Sequence, residues 1–394
     1  MFQNVTIVEL ANVLAGPSVS MFFAELGARI IKVENLYTQG DVTRSWKLAS
    51  EPTESDISAY YSSINWGKES IAVNLKSKEG QQLAHKIIAK ADMVISSYLP
   101  GVSEKLGVDC ETLHKINPRL IIGEVNGYGA EEPRPAYDAI IQAEAGFTYM
   151  NGNPGEAVKM PVALMDLMAG HQLKEAMLLA YIRFLQTGEG SRVTVSLLES
   201  GIASLANQAT NWLVGGHIPQ PTGSSHPNIV PYGTIFYTSD RKGIVLAVGN
   251  DQQFRGLMEV LGREEYDEFK TNSQRVKHRS RLNEWLQETI ALWEREDLLE
   301  ELHQARVPAG AVNTIPEVFQ LPQAESLSLY DEETQLSGVR SIASKLPWKH
   351  QTNLSPPPRF HQHGKKILEE LGYSVEEQKK LAERGVIPSS GVPD

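Results

Sequence analysis

The sequence predicts an α/β fold: a largely parallel sheet flanked by helices, with a second, smaller domain. Three observations predict it. Short apolar, β-branched runs alternate with helical patterns over the first 130 residues, and strands separated by helices imply βαβ crossovers. The chain's 394 residues suffice for two domains at roughly 100–200 residues each. Between Gly215 and Gly233 the composition turns to glycine, proline, serine and histidine in "GGHIPQPTGSSHPNIVPYG", the mark of a linker or an active-site loop.

The elements follow in order. "VTIVEL" (Val5–Leu10) reads as a buried strand, "ANVLAGPS" as a loop and "VSMFFAELGA" as a helix. "RIIKVE" (Arg29–Glu34) is the next strand. "SIAVNL" is a third, followed by the helix "SKEGQQLAHKIIAKA", whose apolar residues recur at helical spacing. "DMVISSY" and "RLIIGEVNGYG" are two more strands. Residues 167–186 form a long apolar-rich helix that stops at the turn signal "TGEG". "SRVTVSL" alternates as a strand, and one further helix runs through "LESGIASLANQATNWLV". Beyond Gly233, "TIFYTSDRKGIVLAVG" reads as a hairpin turning at Asp240 to Gly243, and helical patterns run from Asp251 to about Gln304. After Tyr330 come a strand-like part, the cluster Pro356 to Pro358, and the amphipathic pair "KKILEELG" and "VEEQKKLAERG".

Composition excludes several classes. A net charge of −11 argues against non-specific binding to nucleic acid. No apolar run is long enough to span a membrane. "MFQNVTIVEL" has neither a basic n-region nor a signal-peptide core, so a cytoplasmic protein is expected. The single cysteine, Cys110, rules out an intrachain disulfide and reads as a packing residue. Scattered histidines without H-E-x-x-H give no expected metal site. G-x-G-x-x-G is missing after Leu10, G-x-x-x-x-G-K-[ST] is absent, and "LLESGIASL" supplies no G-x-S-x-G. Nicotinamide, P-loop and serine-hydrolase readings lose their support.

"MPVALMDLMAGHQ" sets Asp166 among apolar residues where the long helix begins. A buried charge is costly unless paired or hydrogen-bonded. Asp166 reads as a helix N-cap, or as a carboxylate nucleophile stabilised by the same helix terminus; the two are compatible. Basic residues punctuate the loops after successive strands: Arg44, Lys68, Lys76, Lys105 and Arg134. A parallel sheet gathers strand ends along one edge, where these cations could bind phosphates. Tyr98 and Tyr137 could stack a base there.

Ten segments in a fixed order cover nearly the whole chain: "LAGPSVSMFFAELGARIIKVE", "GDVTR", "INWGKESIAVNLKSKEG", "ADMVISSYLPGVSEKLGVD", "INPRLIIGEVNGYG", "AYDAIIQAEAG", "MDLMAGH", "RFLQTGEGSRVTVSLLES", "HPNIVPYG" and "LEELGYSVEEQKKL". Together they resemble the class III coenzyme A transferases, among them the formyl-CoA:oxalate, carnitine and bile-acid CoA-transferases. The resemblance implies that Asp166 attacks an acyl-CoA thioester to give an acyl–aspartyl anhydride. The released CoA thiolate converts this to an aspartyl-CoA thioester, from which the acceptor acid leaves as a new acyl-CoA. No permanently bound cofactor is implied; coenzyme A is substrate and product, and the partners are an acyl-CoA donor and a carboxylic acid acceptor. The implied architecture is an interlocked homodimer. Each subunit has a Rossmann-like large domain built from both chain ends (residues 1–215 and 331–394) and a smaller α+β domain with its linker (216–330). By position, Val13 and Leu14 lie beside the thioester arm, and Val73 and Lys76 near the adenine and phosphates. Ser97, Tyr98, Lys105 and Leu106 complete the coenzyme A site, and Tyr137 lies beside the reacting carbonyl.

Departures from the pattern matter. Members acting on oxalate carry glutamine where Leu14 stands and a glycine-rich loop where this chain has "PTGSSHPNIVPYG", so the resemblance points away from oxalate. An arginine common after the "KVE" strand is Asn35 here, and another commonly basic position is Pro135, beside Arg134. Acyl-CoA racemases of the same fold typically place histidine before the aspartate where this chain has Tyr137-Asp138. That reading, and a non-catalytic coenzyme A-binding protein with Asp166 as a mere cap, are the alternatives.

Overall fold

The structure is a computed structural model that describes residues 1–129, 132–264, 266–344, 346–347 and 353–389. It divides into two compact units. The first comprises Met1–Ala145, Met160–Thr210 and Ser326–Asp394; the second comprises Gly146–Lys159 and Asn211–Glu325.

The first unit is built on a six-stranded sheet. Its strands are β1 (Thr6–Leu10), β2 (Arg29–Asn35), β3 (Lys68–Val73), β4 (Met93–Ser96), β5 (Ile121–Asn126) and β6 (Ser191–Ser196). They run in the order β3-β2-β1-β4-β5-β6, and every neighbouring pair is parallel. The strand-and-helix alternation in the sequence predicts this arrangement. Apolar runs such as Ile7–Val8 and Ile121–Ile122 are buried because a parallel sheet is covered on both faces. On one face, Val8, Ile31, Val73 and Val94 share a core with Leu83 and Ile87 of the helix Lys78–Ile88. Ile367 and Leu368, from the helix Gly364–Glu370, join the same core, as do Val386 and Ile387. Strand order reverses direction between β1 and β4, which opens a crevice at their carboxyl ends where ligands of such folds bind.

The free edge of β3 is closed by the chain's tail. The Ala72 N–H donates to His361 Nδ1 at 3.0 Å and the Ser70 N–H to His363 Nδ1 at 3.2 Å. The His363 N–H donates back to the Ser70 carbonyl at 2.9 Å. Two imidazole lone pairs thus satisfy donors that an open edge would leave bare.

One predicted helix is two. Leu197–Ala203 and Asn207–Gly215 are separated by a break at which Ala206 takes a φ of 49°. The Ser200 and Ser204 hydroxyls donate to the carbonyls four residues back, each at 2.7 Å, a back-bonding that bends helices.

The second unit carries an antiparallel sheet of β7 (Tyr232–Tyr237), β8 (Gly243–Ala247) and β9 (Ala309–Ala311). The first two form the predicted hairpin. Phe236, Ile244 and Leu246 pack against Phe254 and Leu257 of the helix Asp251–Val260 and Leu286 of the helix Arg279–Ile290. Among the described residues, no helix is long and apolar enough to cross a membrane.

Candidate active site

The long helix spans Leu164–Thr187, and Asp166 is its third residue. The N-cap position belongs to Ala163, which makes no side-chain cap bond. Asp166 is therefore not the cap that the sequence suggests. That work falls to Asp138, the first residue of the helix Asp138–Glu144. Its Oδ1 accepts the Met165 N–H at 2.7 Å, and its Oδ2 accepts Gln142 Nε2 at 2.7 Å. Gln142 also binds the incoming segment: its Oε1 accepts the Met160 N–H at 2.8 Å, and its Nε2 reaches the Met160 carbonyl at 3.2 Å. The helix start is thus fixed from outside, and Asp166 is left for other work.

Asp166 is 8% exposed. Among the described residues nothing donates a hydrogen bond to its carboxylate; burial, and secondarily the nearby Asp138 carboxylate, push its pKa up to about 7. A buried carboxyl poised near neutrality is a recurrent property of catalytic groups. Tyr60, half-buried, feels Asp166, Asp138 and Asp41. Burial first and those charges second raise its phenol to about 12, so it keeps its proton and can donate. Nothing in "AYYSS" distinguishes Tyr60 by pattern; its role comes from the fold. One turn beyond Asp166 a side chain on Gly170 would meet Ser18 Oγ at 2.5 Å and the Ala15 carbonyl at 3.2 Å. Only glycine lets the long helix lie so close to the helix Ala15–Glu25.

A cavity of about 1160 Å³ opens at the carboxyl ends of β1 to β4. Val73, Lys76, Tyr98 and Leu106 line it, four of the residues that the resemblance assigns to coenzyme A. Asp166, Val13, Leu14, Ser97, Lys105 and Tyr137 are not among its lining residues. Ser97 adjoins a lining residue, its Oγ accepting the Asn12 N–H at 3.2 Å. Lys105 is exposed on the short helix Val102–Leu106. Leu14 occupies the N-cap position of Ala15–Glu25. Tyr137 is 60% exposed and immediately precedes Asp138.

The cations sort differently from the sequence expectation. Lys68 opens β3, is buried, and binds Glu9 at 2.8 Å and the Asn65 side chain at 2.9 Å. Arg44 pairs with Glu34 at 2.6 Å and also donates to the Tyr61 hydroxyl and the Pro358 carbonyl. Arg134 pairs with Glu144 at 3.1 Å. Arg44 and Lys68 serve the fold, because their donors are committed to buried partners, whereas the Arg134 pair is solvent-exposed. Lys47 lines the cavity but is spent on the carbonyls of Pro52 and Thr53, at 2.7 and 2.8 Å. The ammonium of Lys76, exposed at the cavity, makes no hydrogen bond among the described residues and lies 5.7 Å from the Tyr37 ring centre. Groups of histidine, cysteine and carboxylate able to hold a metal ion are absent among the described residues.

Residues 2–364 match the model of CoA-transferase family III. The chain is 36% identical over 386 residues to a succinate–glutarate CoA-transferase of Agrobacterium fabrum, covering 94% of this chain and 95% of that one. It is 34% identical to the human succinyl-CoA:glutarate CoA-transferase, covering 98% and 89%. Identity to an acetyl-CoA:oxalate CoA-transferase of Acetobacter aceti is 32%, covering 83% and 85%. Among solved structures, a CAIB/BAIF family protein from Brucella suis superposes with a TM-score of 0.85 at 35% identity, covering 94% of this chain and 99% of that one.

Proposed function

The chain belongs to CoA-transferase family III, and from that premise we propose that it passes coenzyme A from succinyl-CoA or a similar donor to a short dicarboxylate through Asp166. The observation that carries the reading is the Asp166 carboxyl: buried, unbonded among the described residues, and shifted to about 7. Its ionised oxygen attacks the thioester carbonyl; the C–S bond breaks and CoA leaves as thiolate. The acyl–aspartyl anhydride is then attacked by that thiolate at the aspartyl carbonyl, which releases the donor acid. The acceptor carboxylate attacks the aspartyl-CoA thioester, giving a second anhydride, and the CoA thiolate takes the acceptor's acyl group and regenerates Asp166. Burial raises the energy of the ionised nucleophile, so bond formation relieves an unfavourable charge. Tyr60 supplies a protonated donor nearby.

For the coenzyme, Val73, Lys76, Tyr98 and Leu106 line the nucleotide arm, with Lys76 offering a free ammonium to phosphate. Val13, Leu14, Ser97 and Lys105 border the rest of the arm, and Tyr137 the reacting carbonyl. Two relatives act between succinate and glutarate by name, and the apolar Leu14 suits a longer acceptor than oxalate. The racemase alternative is disfavoured by Tyr137, which stands where those enzymes typically carry histidine. We further read the active form as an interlocked homodimer, supported by the exposed Leu179, Ile182 and Leu185 of the long helix.

The test is incubation with succinyl-CoA, trapping with hydroxylamine or borohydride, and peptide mass spectrometry. The mark is expected on Asp166; a mark confined to another residue refutes the assignment. A panel of glutarate, succinate and oxalate, read by chromatography of the CoA products, is expected to rank oxalate last.

A further inference from the structure

Val13 adopts a φ of 70°, a left-handed backbone that β-branched residues rarely take. Such a conformation persists only where its surroundings over-determine it. Here the surroundings are a buried group of charges. The Val13 N–H points at both Asp41 oxygens, at 3.3 and 3.2 Å. The Lys32 ammonium pairs with Asp41 at 3.0 Å and donates to the Ala11 carbonyl at 2.8 Å. Between them, the Asn12 N–H is held by Ser97. Three successive backbone groups of one loop are therefore gripped by side chains from β2, from the loop after it, and from the end of β4.

The grip is anchored below. Lys32 also binds Glu9 of β1, and Glu9 accepts from Lys68 of β3. Glu9, Lys32, Asp41 and Lys68 are all buried. Two ammonium groups face two carboxylates, so the charges are paired. A buried ion-pair group is seldom better for stability than apolar packing. What it does, and packing cannot, is address the carbonyl of Ala11 and the N–H of Val13 individually.

We propose that Lys32 and Asp41 are positioning residues that lock residues 11–13, with Val13 in the left-handed region, so that the cavity wall at Asn12 meets the acyl-CoA arm already in shape. This rests on the transferase reading, in which Val13 and Leu14 border that arm. A loop ordered beforehand removes the entropy cost of ordering it on binding.

The experiment uses the full chain and coenzyme A itself, with equilibrium binding by calorimetry, KM and kcat for acyl-CoA, and thermal unfolding. Asp41→Ala is expected to weaken coenzyme A binding and raise KM by about ten-fold or more, with kcat changed less and the folded spectrum retained. Adding Val13→Gly to Asp41→Ala is expected to recover part of that affinity, because glycine takes a positive φ without steric cost. A purely structural role predicts no such recovery. If Asp41→Ala does not fold, Asp41→Asn, which keeps an acceptor oxygen and drops the charge facing Lys32, replaces it. Parental affinity in the Asp41 variant, strictly additive effects in the double variant, or failure of both Asp41 variants to fold overturns the proposal. Absence of coenzyme A binding by the parent overturns the transferase reading itself, an outcome distinct from parent and variant binding equally well.

Discussion

A carboxyl whose pKa sits at about 7 is divided between its two forms at neutral pH, and only the ionised form attacks. The rate of Asp166 acylation is therefore expected to rise with pH through about 7, rather than near the ordinary aspartate value of about 4. Asp138→Asn removes the neighbouring charge while leaving an oxygen for the Met165 N–H, so the midpoint should move down, by roughly one unit. Quench-flow labelling across pH 5–9 checks both; a flat profile in the parent would sink the assignment. The same shift has a stability consequence of known sign. Because the folded pKa lies above the unfolded one, the native state holds the extra proton between about pH 4 and 7. This group thus supports folding in acid and opposes it above about pH 7. Asp166→Asn should therefore be inactive yet more stable at pH 8, by about 2–4 kcal/mol, with the gain gone below pH 4; denaturant melts at the two pH values decide it. The buried position of Asp166 was legible from its apolar neighbours, whereas its release from capping was not. The cap comes from Asp138, whose distance along the chain no local pattern bridges.

The tail that closes β3 depends on imidazoles remaining unprotonated. Burial pushes the His361 pKa down to about 4 against a pull from Glu34, and its Nδ1 accepts the Ala72 N–H only when neutral. With the folded pKa below the unfolded one, stability from this contact is complete above about pH 6.5 and is lost as pH falls toward 4. The loss attributable to His361 reaches about 3 kcal/mol. His361→Gln, which offers an acceptor that does not titrate, is expected to flatten the decline between pH 6.5 and 4 in thermal melts; an unchanged slope would count against it. Five strands of the parallel sheet were legible from apolar, largely β-branched runs, and β6 from its alternation of polar and apolar residues. β9 was not, because Ala309–Ala311 is short and small and carries no apolar signal. The basic residues show a different limit. Position after a strand says nothing of whether a cation's donors are free, and Arg44 and Lys68 turn out to be committed to buried carboxylates.

For the whole molecule, a net charge of −11 was enough to point away from non-specific binding to nucleic acid. Charge carries no information on oligomeric state. The long helix bears on that question. Leu179, Ile182 and Leu185 recur at three-residue spacing, on one side of a helix, and are 68%, 52% and 66% exposed. Large apolar side chains gathered on an exposed face mark a protein–protein contact. If two chains interlock through this face, the contact must form while they fold, and dilution alone cannot separate them. Light scattering is therefore expected to give twice the mass of one chain, with no fall on dilution to nanomolar concentration. Leu179→Glu combined with Leu185→Glu places charges where a partner's apolar surface would sit, so it should yield monomer or unfolded chain rather than a weaker dimer in equilibrium with monomer. A parent that is monomeric, or that dissociates smoothly on dilution, would contradict the interlocked form while leaving the chemistry at Asp166 standing. The two claims rest on different residues and fall separately.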